Sequence, residues 1–216
     1  GGVLATPAAG HRAVESSAYI HETPIQYFQS KIRAEQAIAD WLPQNPDMRV
    51  ILFLPGAIIG PGDNGPTGLG RLVIDVLKGD LPAIPVGGFT LVDVRDVADG
   101  MIQAVKKGKS GERFIISGQY HGMSSFIPLI GQAGGVKTPS LQLPYPVAWL
   151  YGAASELIAK ISGNPPLATR VLIKTLNERT AVSTTKAERV LGLTLRPIEQ
   201  SVQDSVTWFR KFGYTN

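Results

Sequence analysis

Residues 48–54, with the sequence Met-Arg-Val-Ile-Leu-Phe-Leu, constrain the fold of this 216-residue chain more than any other segment. The run is apolar and rich in β-branched residues, which is typical of a strand buried on both faces of a parallel sheet. A helical stretch at residues 32–41 precedes it, with an apolar stripe made of Ala34, Ala37, Ile38 and Trp41. A buried strand next to an amphipathic helix indicates an α/β fold.

The same alternation continues to the end of the chain. Short strands are predicted at residues 87–92, 113–117 and 141–143, with an extended piece at 181–183. Helices are predicted at residues 66–78, 97–107, 124–132, 144–162, 169–176, 185–191 and 197–212. We expect Asp96 to cap the helix at 97–107, and a serine hydroxyl from Ser124 or Ser125 to cap the next helix. Strands separated by helices favour parallel pairing.

A tyrosine and a lysine lie one helical turn apart in Tyr27-Phe-Gln-Ser-Lys31. Side chains at this spacing share one face of a helix. A lysine ammonium close to a phenol favours the phenolate, which makes the phenol a better proton carrier near neutral pH. The alternative is that both residues lie on an ordinary solvated helix face.

The order of this pair, the strand and the loop that follows resembles the extended short-chain dehydrogenase/reductase family. Within that family, the chain is most similar to the branch of dihydroflavonol-reductase-like enzymes and nucleotide-sugar epimerases/dehydratases. The resemblance includes the turn Pro55-Gly-Ala-Ile58 and the loop Gly60-Pro-Gly-Asp63, and it continues at residues 91–98, 111–118 and 184–192. It implies a Rossmann-like, doubly wound parallel sheet with a small mixed α/β substrate-binding lobe.

The resemblance also implies NAD or NADP as the cofactor and assigns roles to individual residues. Tyr27 matches the acid/base residue, which exchanges a proton with the substrate oxygen while a hydride is transferred at the carbon that bears this oxygen. Lys31 matches the residue that binds the nicotinamide ribose hydroxyls, so both residues are expected to contact the cofactor. The turn that packs on the nicotinamide ring is matched by Pro55, Gly56, Ala57 and Ile58.

Three further residues are candidates for substrate binding. Asn64 and Arg71 lie where the family places substrate-facing residues of a loop and a helix, and Arg95 is the third candidate. Arg71 could equally be a solvated helix residue. Asp93, Arg95 and Asp96 together match a motif whose role in the family is mainly structural.

Family members open with a strand, a Gly-rich turn and a helix that bind the dinucleotide pyrophosphate. Nothing before Tyr27 matches that unit, so we expect the chain to correspond to the C-terminal two-thirds of a longer enzyme. The family's Ser or Thr that polarises the substrate oxygen is expected at or just before Gly1-Gly2. Thr6 is the nearest hydroxyl, but it falls several residues late.

This interpretation divides the chain into two functional parts. Residues 1–62 and 88–110 are assigned to the dinucleotide-binding domain, and residues 63–87 and 111–216 to the substrate-binding lobe. Without the central strands, the predicted strands at 48–54 and 113–117 would expose apolar edges and faces. The isolated chain should then be poorly soluble or self-associated, and should bind NAD(P) weakly.

The segment Gly60-Pro-Gly-Asp-Asn-Gly65 satisfies the dinucleotide fingerprint G-x-G-x-x-G. Residues 55–59 separate it from its strand, and Pro61 and Pro66 remove backbone N–H donors that a phosphate site needs. We therefore interpret this segment as a loop bordering the substrate pocket.

Composition narrows the possible classes of protein. The chain is 44% hydrophobic and 18% charged, which is typical of a globular enzyme, and no apolar run is long enough to span a membrane. It has no cysteine, and its histidines (His11, His21 and His121) lack metal-ligand spacing. The net charge of +4 is spread out rather than clustered. We expect a cytoplasmic protein with no metal, no nucleic-acid partner and no membrane span.

The function predicted from the resemblance is an NAD(P)-dependent oxidoreductase that acts by hydride transfer on a secondary alcohol or ketone, in the manner of a dihydroflavonol reductase. A nucleotide-sugar epimerase or dehydratase is an alternative, and a catalytically inactive dinucleotide-sensing protein is another. We also expect a homodimer, because family members pair through the helix with the Tyr-x-x-x-Lys motif. Ile38 or Trp41 would then lie at or near the interface.

Overall fold

The computed structural model describes residues 4–5, 11–20, 25–163, 169–177 and 181–215. The strands are β1 (Leu52–Pro55), β2 (Ala57–Ile59), β3 (Gly88–Asp93), β4 (Arg113–Ile116) and β5 (Tyr120–Gly122). The helices are α1 (Gln26–Trp41), α2 (Gly68–Lys78), α3 (Val94–Lys107), α4 (Met123–Gly134), α5 (Tyr145–Ser162), α6 (Arg170–Asn177), α7 (Thr185–Leu191) and α8 (Ile198–Lys211). The predicted α/β class is confirmed.

The chain forms two compact units. The first comprises residues 1–60, 90–119 and 180–198, and the second comprises residues 61–89, 120–179 and 199–216. Residues 111–119 and 180–198, which the sequence analysis assigns to the substrate-binding lobe, belong to the first unit. The assignment of a cofactor or substrate role to each part stays a prediction.

A parallel strand pair lies at the centre of the first unit. β1 pairs with β4 in the register Leu52↔Arg113 to Pro55↔Ile116. Side chains alternate between the two faces of a strand, and both faces of β4 are covered. Phe114, Ile115 and Ile116 are each 0% exposed. The expectation that this strand would expose apolar faces is therefore wrong.

Two separate apolar clusters cover the two faces of β4. Phe114 and Ile116 belong to a cluster that includes residues of α3 and α7, among them Val97, Ala104, Ala187 and Leu191. Ile115 belongs to the opposite cluster with Leu4, Ala13, Leu54 and Val182, against which Phe28 and Ile32 of α1 pack. Helices on both faces of a parallel pair are the arrangement expected of a doubly wound sheet.

The predicted strand at residues 48–54 is shorter and less buried than expected. It begins at Leu52, and Leu54 is its one fully buried residue. Within the described residues, β1 pairs with one strand, β4, so its other edge lacks a sheet neighbour. That asymmetry explains why the apolar run gives a half-buried strand rather than a fully buried one.

The chain passes from β1 into a second sheet at Gly56. The second sheet has the order β2–β3–β5, and β2 pairs in parallel with β3. The Gly56 N–H donates to the Ile116 carbonyl (3.0 Å), which continues the ladder of β4 for one more residue. A Cβ at this position would lie 2.4 Å from the Ser117 Oγ and 2.5 Å from the Thr90 carbonyl oxygen. Only glycine allows the two strands to approach each other this closely.

Helices make up most of the second unit. α2 buries Val73, Ile74 and Val76, and α4 packs beside it, with Gly134 facing Leu77. α5 and α6 contact each other, because Gly152 leaves room for the Ile173 side chain. The predicted short strand at 141–143 is present as a parallel bridge between Ile84 and Gln142.

The start of α4 differs from the expected one. Its N-cap is Gly122 and no side chain caps it, because the Ser125 hydroxyl donates to the Gly122 carbonyl instead of accepting from a free N–H. In the described part of the chain, no helix is both long enough and apolar enough to cross a bilayer.

Replacing Gly56 by alanine should destabilise the first unit, because the added methyl group has no space between Ser117 and Thr90. We expect a loss of about 1–3 kcal/mol in the free energy of unfolding, the usual cost of overpacking. Urea unfolding of the wild-type and variant proteins measures it.

Gly65→Ala is the matched control, because a Cβ there meets no atom within 4 Å. Its unfolding midpoint should stay close to that of the wild type. Equal midpoints for Gly56→Ala and Gly65→Ala would contradict the close approach at Gly56.

Candidate functional site

The tyrosine and lysine predicted to act together lie on one face of α1. The Lys31 Nζ is 5.3 Å from the centroid of the Tyr27 ring. Tyr27 is 63% exposed, so its hydroxyl is accessible to a ligand. The Ser30 hydroxyl, which lies between them in sequence, donates its hydrogen bond to the Tyr27 backbone carbonyl (2.7 Å) and not to the phenol. The arrangement places a phenol and a lysine ammonium side by side at the surface of the first unit.

The predicted nicotinamide turn is a crossing between two strands rather than a loop. Pro55 is the last residue of β1, and Ala57 and Ile58 are the first residues of β2, paired with Leu91 and Val92 of β3. Backbone pairing on both sides of Gly56 makes this segment rigid. Ile58 is 41% exposed, which leaves an apolar side chain available for contact with a flat ring.

The loop that satisfies the dinucleotide fingerprint is folded around a carboxylate of its own. Asp63 accepts hydrogen bonds from the Thr67 N–H (3.0 and 3.1 Å to its two oxygens) and from the Thr67 hydroxyl (2.9 Å). Thr67 in turn caps α2 by accepting from the Gly70 N–H (3.2 Å). An anion of the chain already occupies the N-terminus of α2, where a phosphate would have to bind. The geometry supports the interpretation as an ordinary loop.

Asn64 and Arg71 belong to the second unit. The Tyr214 hydroxyl donates to the Asn64 carbonyl and to its side-chain oxygen (3.2 Å), which ties the loop to the end of α8. Arg71 is exposed on α2. The structure therefore gives Asn64 a partner within the chain and leaves Arg71 at the surface, and the substrate role of both stays a prediction.

Arg95 is bound to Asp93 by two parallel hydrogen bonds, 2.8 Å from Nε and 2.7 Å from a terminal nitrogen. Asp93 also accepts from the Arg95 N–H and is the N-cap of α3. The prediction that Asp96 caps this helix is wrong, because the helix begins one turn earlier, directly after β3. Asp96 is buried and accepts instead from the backbone and guanidinium of Arg196.

The residue expected to polarise the substrate oxygen falls at or just before Gly1-Gly2, with Thr6 as the nearest hydroxyl. Gly1, Gly2 and Thr6 lie outside the described residues. Among the residues that the structure does describe, no cluster of three or more His, Asp or Glu side chains could hold a metal ion.

A half-buried polar cluster next to α1 was not anticipated from the sequence. The Glu35 carboxylate lies 2.9 Å from the Arg113 guanidinium and accepts from the Tyr19 hydroxyl (3.1 Å). Its members are far apart in sequence, so no sequence motif predicts that they lie together. The one available signal is that Glu35 follows Lys31 by one helical turn, which puts it on the same side of α1.

Comparisons with known proteins agree with this fold. No protein-family model matches the chain. A Synechocystis protein named "Putative dihydroflavonol 4-reductase" is 30% identical to it over 218 residues, which cover 95% of this chain and 61% of the relative. The crystal structure of gox2253 is 30% identical with a TM-score of 0.83, and the match covers 100% of this chain and 65% of that one. The chain thus spans about three fifths of the length of the curated relative.

More distant solved structures have the same fold. RMD from Pseudomonas aeruginosa, complexed with NADPH, is 17% identical with a TM-score of 0.69 over 98% of this chain and 65% of its own. A UDP-glucose 4-epimerase from Bifidobacterium longum, in complex with NAD+ and UDP, is 19% identical with a TM-score of 0.71 over 100% of this chain and 63% of its own.

Replacing Asp63 by alanine should destabilise the second unit, because the Thr67 N–H and hydroxyl lose their acceptor at the start of α2. We expect a loss of about 0.5–2 kcal/mol in the free energy of unfolding, as for other helix-cap residues. Thermal unfolding followed by circular dichroism measures it. Asp80→Ala, at an exposed position just after α2, is the control and should have little effect. Equal melting temperatures for the two variants would contradict the role of Asp63.

Proposed function

Because the chain belongs to the NAD-dependent epimerase/dehydratase family of extended short-chain dehydrogenases/reductases, we propose that it forms part of an NAD(P)-dependent oxidoreductase that acts on a secondary alcohol or ketone. The observation that carries the proposal is the pair on α1, an exposed phenol with a lysine ammonium 5.3 Å from its ring. A rigid, partly exposed apolar turn in the same unit, residues 55–58, supplies a surface for a nicotinamide ring. These residue types and exposures fit such a cofactor.

In the reductive direction Tyr27 donates its phenolic proton to the carbonyl oxygen of the substrate. A bound nicotinamide would supply the hydride for the carbonyl carbon, so that one proton and one hydride together would give the alcohol. Lys31 holds a positive charge beside the phenolate that forms, and it would hold the cofactor by donating hydrogen bonds to the ribose hydroxyls. In the oxidative direction Tyr27 takes the proton back. Residues 55–58 exclude water from the face of the ring that they cover.

A dihydroflavonol-reductase-like reaction is favoured by the identity of 30% to the Synechocystis protein of that name. Epimerisation or dehydration of a nucleotide sugar is the second candidate, because a UDP-glucose 4-epimerase has the same fold. All these reactions begin with hydride transfer at the carbon that faces the tyrosine. Net consumption of NAD(P)H by the full-length protein favours a reductase, whereas product formation with no net change in cofactor favours an epimerase or dehydratase.

One asparagine and two arginines are proposed to contact the substrate: Asn64, Arg71 and Arg95. Arg71 is the most available of them, because Asn64 accepts from Tyr214 and the Arg95 guanidinium is bound to Asp93. Arg71 would suit an anionic or hydroxyl-rich substrate.

A homodimer through α1 is proposed for the assembled protein. The helix has no fully buried residue, and Trp41 near its end is 43% exposed. Phe28 and Ile32 face the unit's own core, which leaves the stripe of Ala34, Ala37, Ile38 and Trp41 on a different part of the helix. An apolar stripe that its own unit does not bury is suited to pairing with a second subunit.

Replacing Tyr27 by phenylalanine in the full-length protein should lower kcat by about 10²- to 10⁴-fold, because the proton carrier is lost. Binding of NADH or NADPH, measured by fluorescence titration, should change little. Tyr151→Phe is the control, since that tyrosine is 52% exposed on α5. Turnover of Tyr27→Phe at the wild-type rate would contradict the catalytic role of Tyr27. If the wild-type protein shows no turnover with either NADH or NADPH, the dinucleotide-sensing alternative is favoured.

Replacing Trp41 by glutamate should dissociate the dimer, because a charge would be buried at the interface. Light scattering on the full-length protein should then report a monomer. Met101→Glu, at an apolar residue with a similar exposure of 44% on α3, should remain dimeric. A wild-type monomer would rule out the assembly, and a dimeric Trp41→Glu would place its interface elsewhere.

A further inference from the structure

The polar cluster beside α1 is built around a single carboxylate. The Glu35 Oε2 contacts the Arg113 guanidinium at 2.9 Å and the Tyr19 hydroxyl at 3.1 Å. The Arg113 guanidinium carbon also lies 5.1 Å from the centroid of the Tyr19 ring. The Glu35 and Arg113 side chains are only 14% and 21% exposed. Shielding of this kind makes an ion pair stronger than one at the open surface.

Arg113 is itself held in place from several directions. A second guanidinium nitrogen donates to the Glu15 carbonyl (2.6 Å), and the Glu15 carboxylate accepts from the Ile115 N–H (3.0 Å). The Lys186 ammonium donates to the Arg113 carbonyl (2.9 Å). Arg113 is therefore a fixed point at the start of β4, and Glu35 binds α1 to it.

The same strand pair ends at the proposed nicotinamide turn. Arg113 lies opposite Leu52 in the β1–β4 register, and the pair finishes at Pro55↔Ile116. The Gly56 N–H then bonds to the Ile116 carbonyl (3.0 Å). The β1–β4 pair thus contacts α1 at its first residue pair, through Arg113, and leads into residues 55–58 at its last residue pair.

The apolar contacts of α1 with the described part of the first unit are only partial. α1 has no fully buried residue and no side-chain cap at its N-terminus. Phe28 and Ile32 pack on the core but are themselves only partly buried. Glu35 lies one turn beyond Lys31 and two turns beyond Tyr27, about 6 and 12 Å along the axis. Its short, shielded ion pair with Arg113, together with the hydrogen bond from the Tyr19 hydroxyl, ties this turn of α1 to one place beside β4.

We propose that Glu35 and Arg113 are positioning residues, which hold α1 so that Tyr27 and Lys31 keep their place relative to residues 55–58. The inference rests on the proposed function, since it concerns the same acid/base pair. Tyr19 completes the cluster as a hydrogen-bond donor to Glu35. Burial first, and then the Glu35 charge, raise the pKa of the Tyr19 phenol from its ordinary value of 10.0, so the phenol keeps its proton at neutral pH.

The test uses the full-length protein and separates geometry from stability. Glu35→Gln should lower kcat by about 10- to 100-fold, because displacement of a catalytic group by about 1 Å costs up to that much. The KM of the substrate should change less than threefold or so, since no binding contact is removed. All rates are measured at a temperature well below the unfolding midpoint of each variant.

The matched control is Glu156→Gln, which removes another ion pair, 2.8 Å from Glu156 to Arg170, between α5 and α6. It should leave kcat unchanged. Arg113→Lys keeps the charge and should retain more activity than Glu35→Gln. The double variant with exchanged charges, Glu35→Arg with Arg113→Glu, should recover part of the kcat lost in Glu35→Arg alone. If Glu35→Gln does not fold, Arg113→Lys and the exchanged pair provide the comparison.

The outcomes separate this inference from the function on which it rests. A wild-type kcat for Glu35→Gln, in a protein whose Tyr27→Phe variant is inactive, would overturn the positioning role alone. An equal loss of kcat in Glu35→Gln and Glu156→Gln would also overturn it, because the effect would then reflect general destabilisation. A fully active Tyr27→Phe variant would instead overturn the proposed function.

Discussion

The parallel pairing of β1 with β4 is the interaction on which the rest of the first unit depends. β4 presents Phe114 and Ile116 to one apolar cluster and Ile115 to another, so helices and extended segments pack on both of its faces. Burial of three large side chains at 0% exposure contributes several kcal/mol, at about 1.5–3 kcal/mol for each. The strand pair also positions both parts of the candidate site. Residues 55–58 follow it directly, because the Gly56 N–H continues its hydrogen-bond ladder, and α1 is tied to it through Arg113.

Polar contacts then add direction to this apolar framework. Asp93 caps α3 and binds Arg95. Asp96 of α3 accepts from Arg196, which lies between α7 and α8. Glu35 of α1 forms an ion pair with Arg113 of β4. Each of these bonds ties a helix to a particular residue, whereas apolar packing specifies position less sharply. The proposed reaction needs the proton carrier at the substrate oxygen and the hydride carrier at the carbon bonded to that oxygen, so small errors in helix placement are costly. The rigid parts of the first unit are arranged in a way that suits this requirement.

Much of the fold could be predicted from periodicity and turn residues, because the helical faces and strand runs are regular. The errors have physical causes. The run at residues 48–54 reads as a fully buried strand, but a strand with one neighbour is only half covered. Asp96 is the cap expected from the sequence, but the helix begins directly after β3, so Asp93 is its N-cap. The Tyr27–Lys31 pair could be found because both residues lie on one helix, whereas the cluster of Glu15, Tyr19, Glu35 and Arg113 depends on tertiary contacts that no local pattern encodes.

A crystal structure of the full-length protein with bound NAD+ or NADP+ tests the central claim most directly, because it shows where the nicotinamide lies. We expect the Lys31 ammonium to lie about 3 Å from a ribose hydroxyl. We also expect the nicotinamide ring to pack on residues 55–58 and the Tyr27 hydroxyl to face the side of the ring open to substrate. A cofactor with its phosphates on the Gly60–Gly65 loop, or a nicotinamide remote from Tyr27, would contradict it.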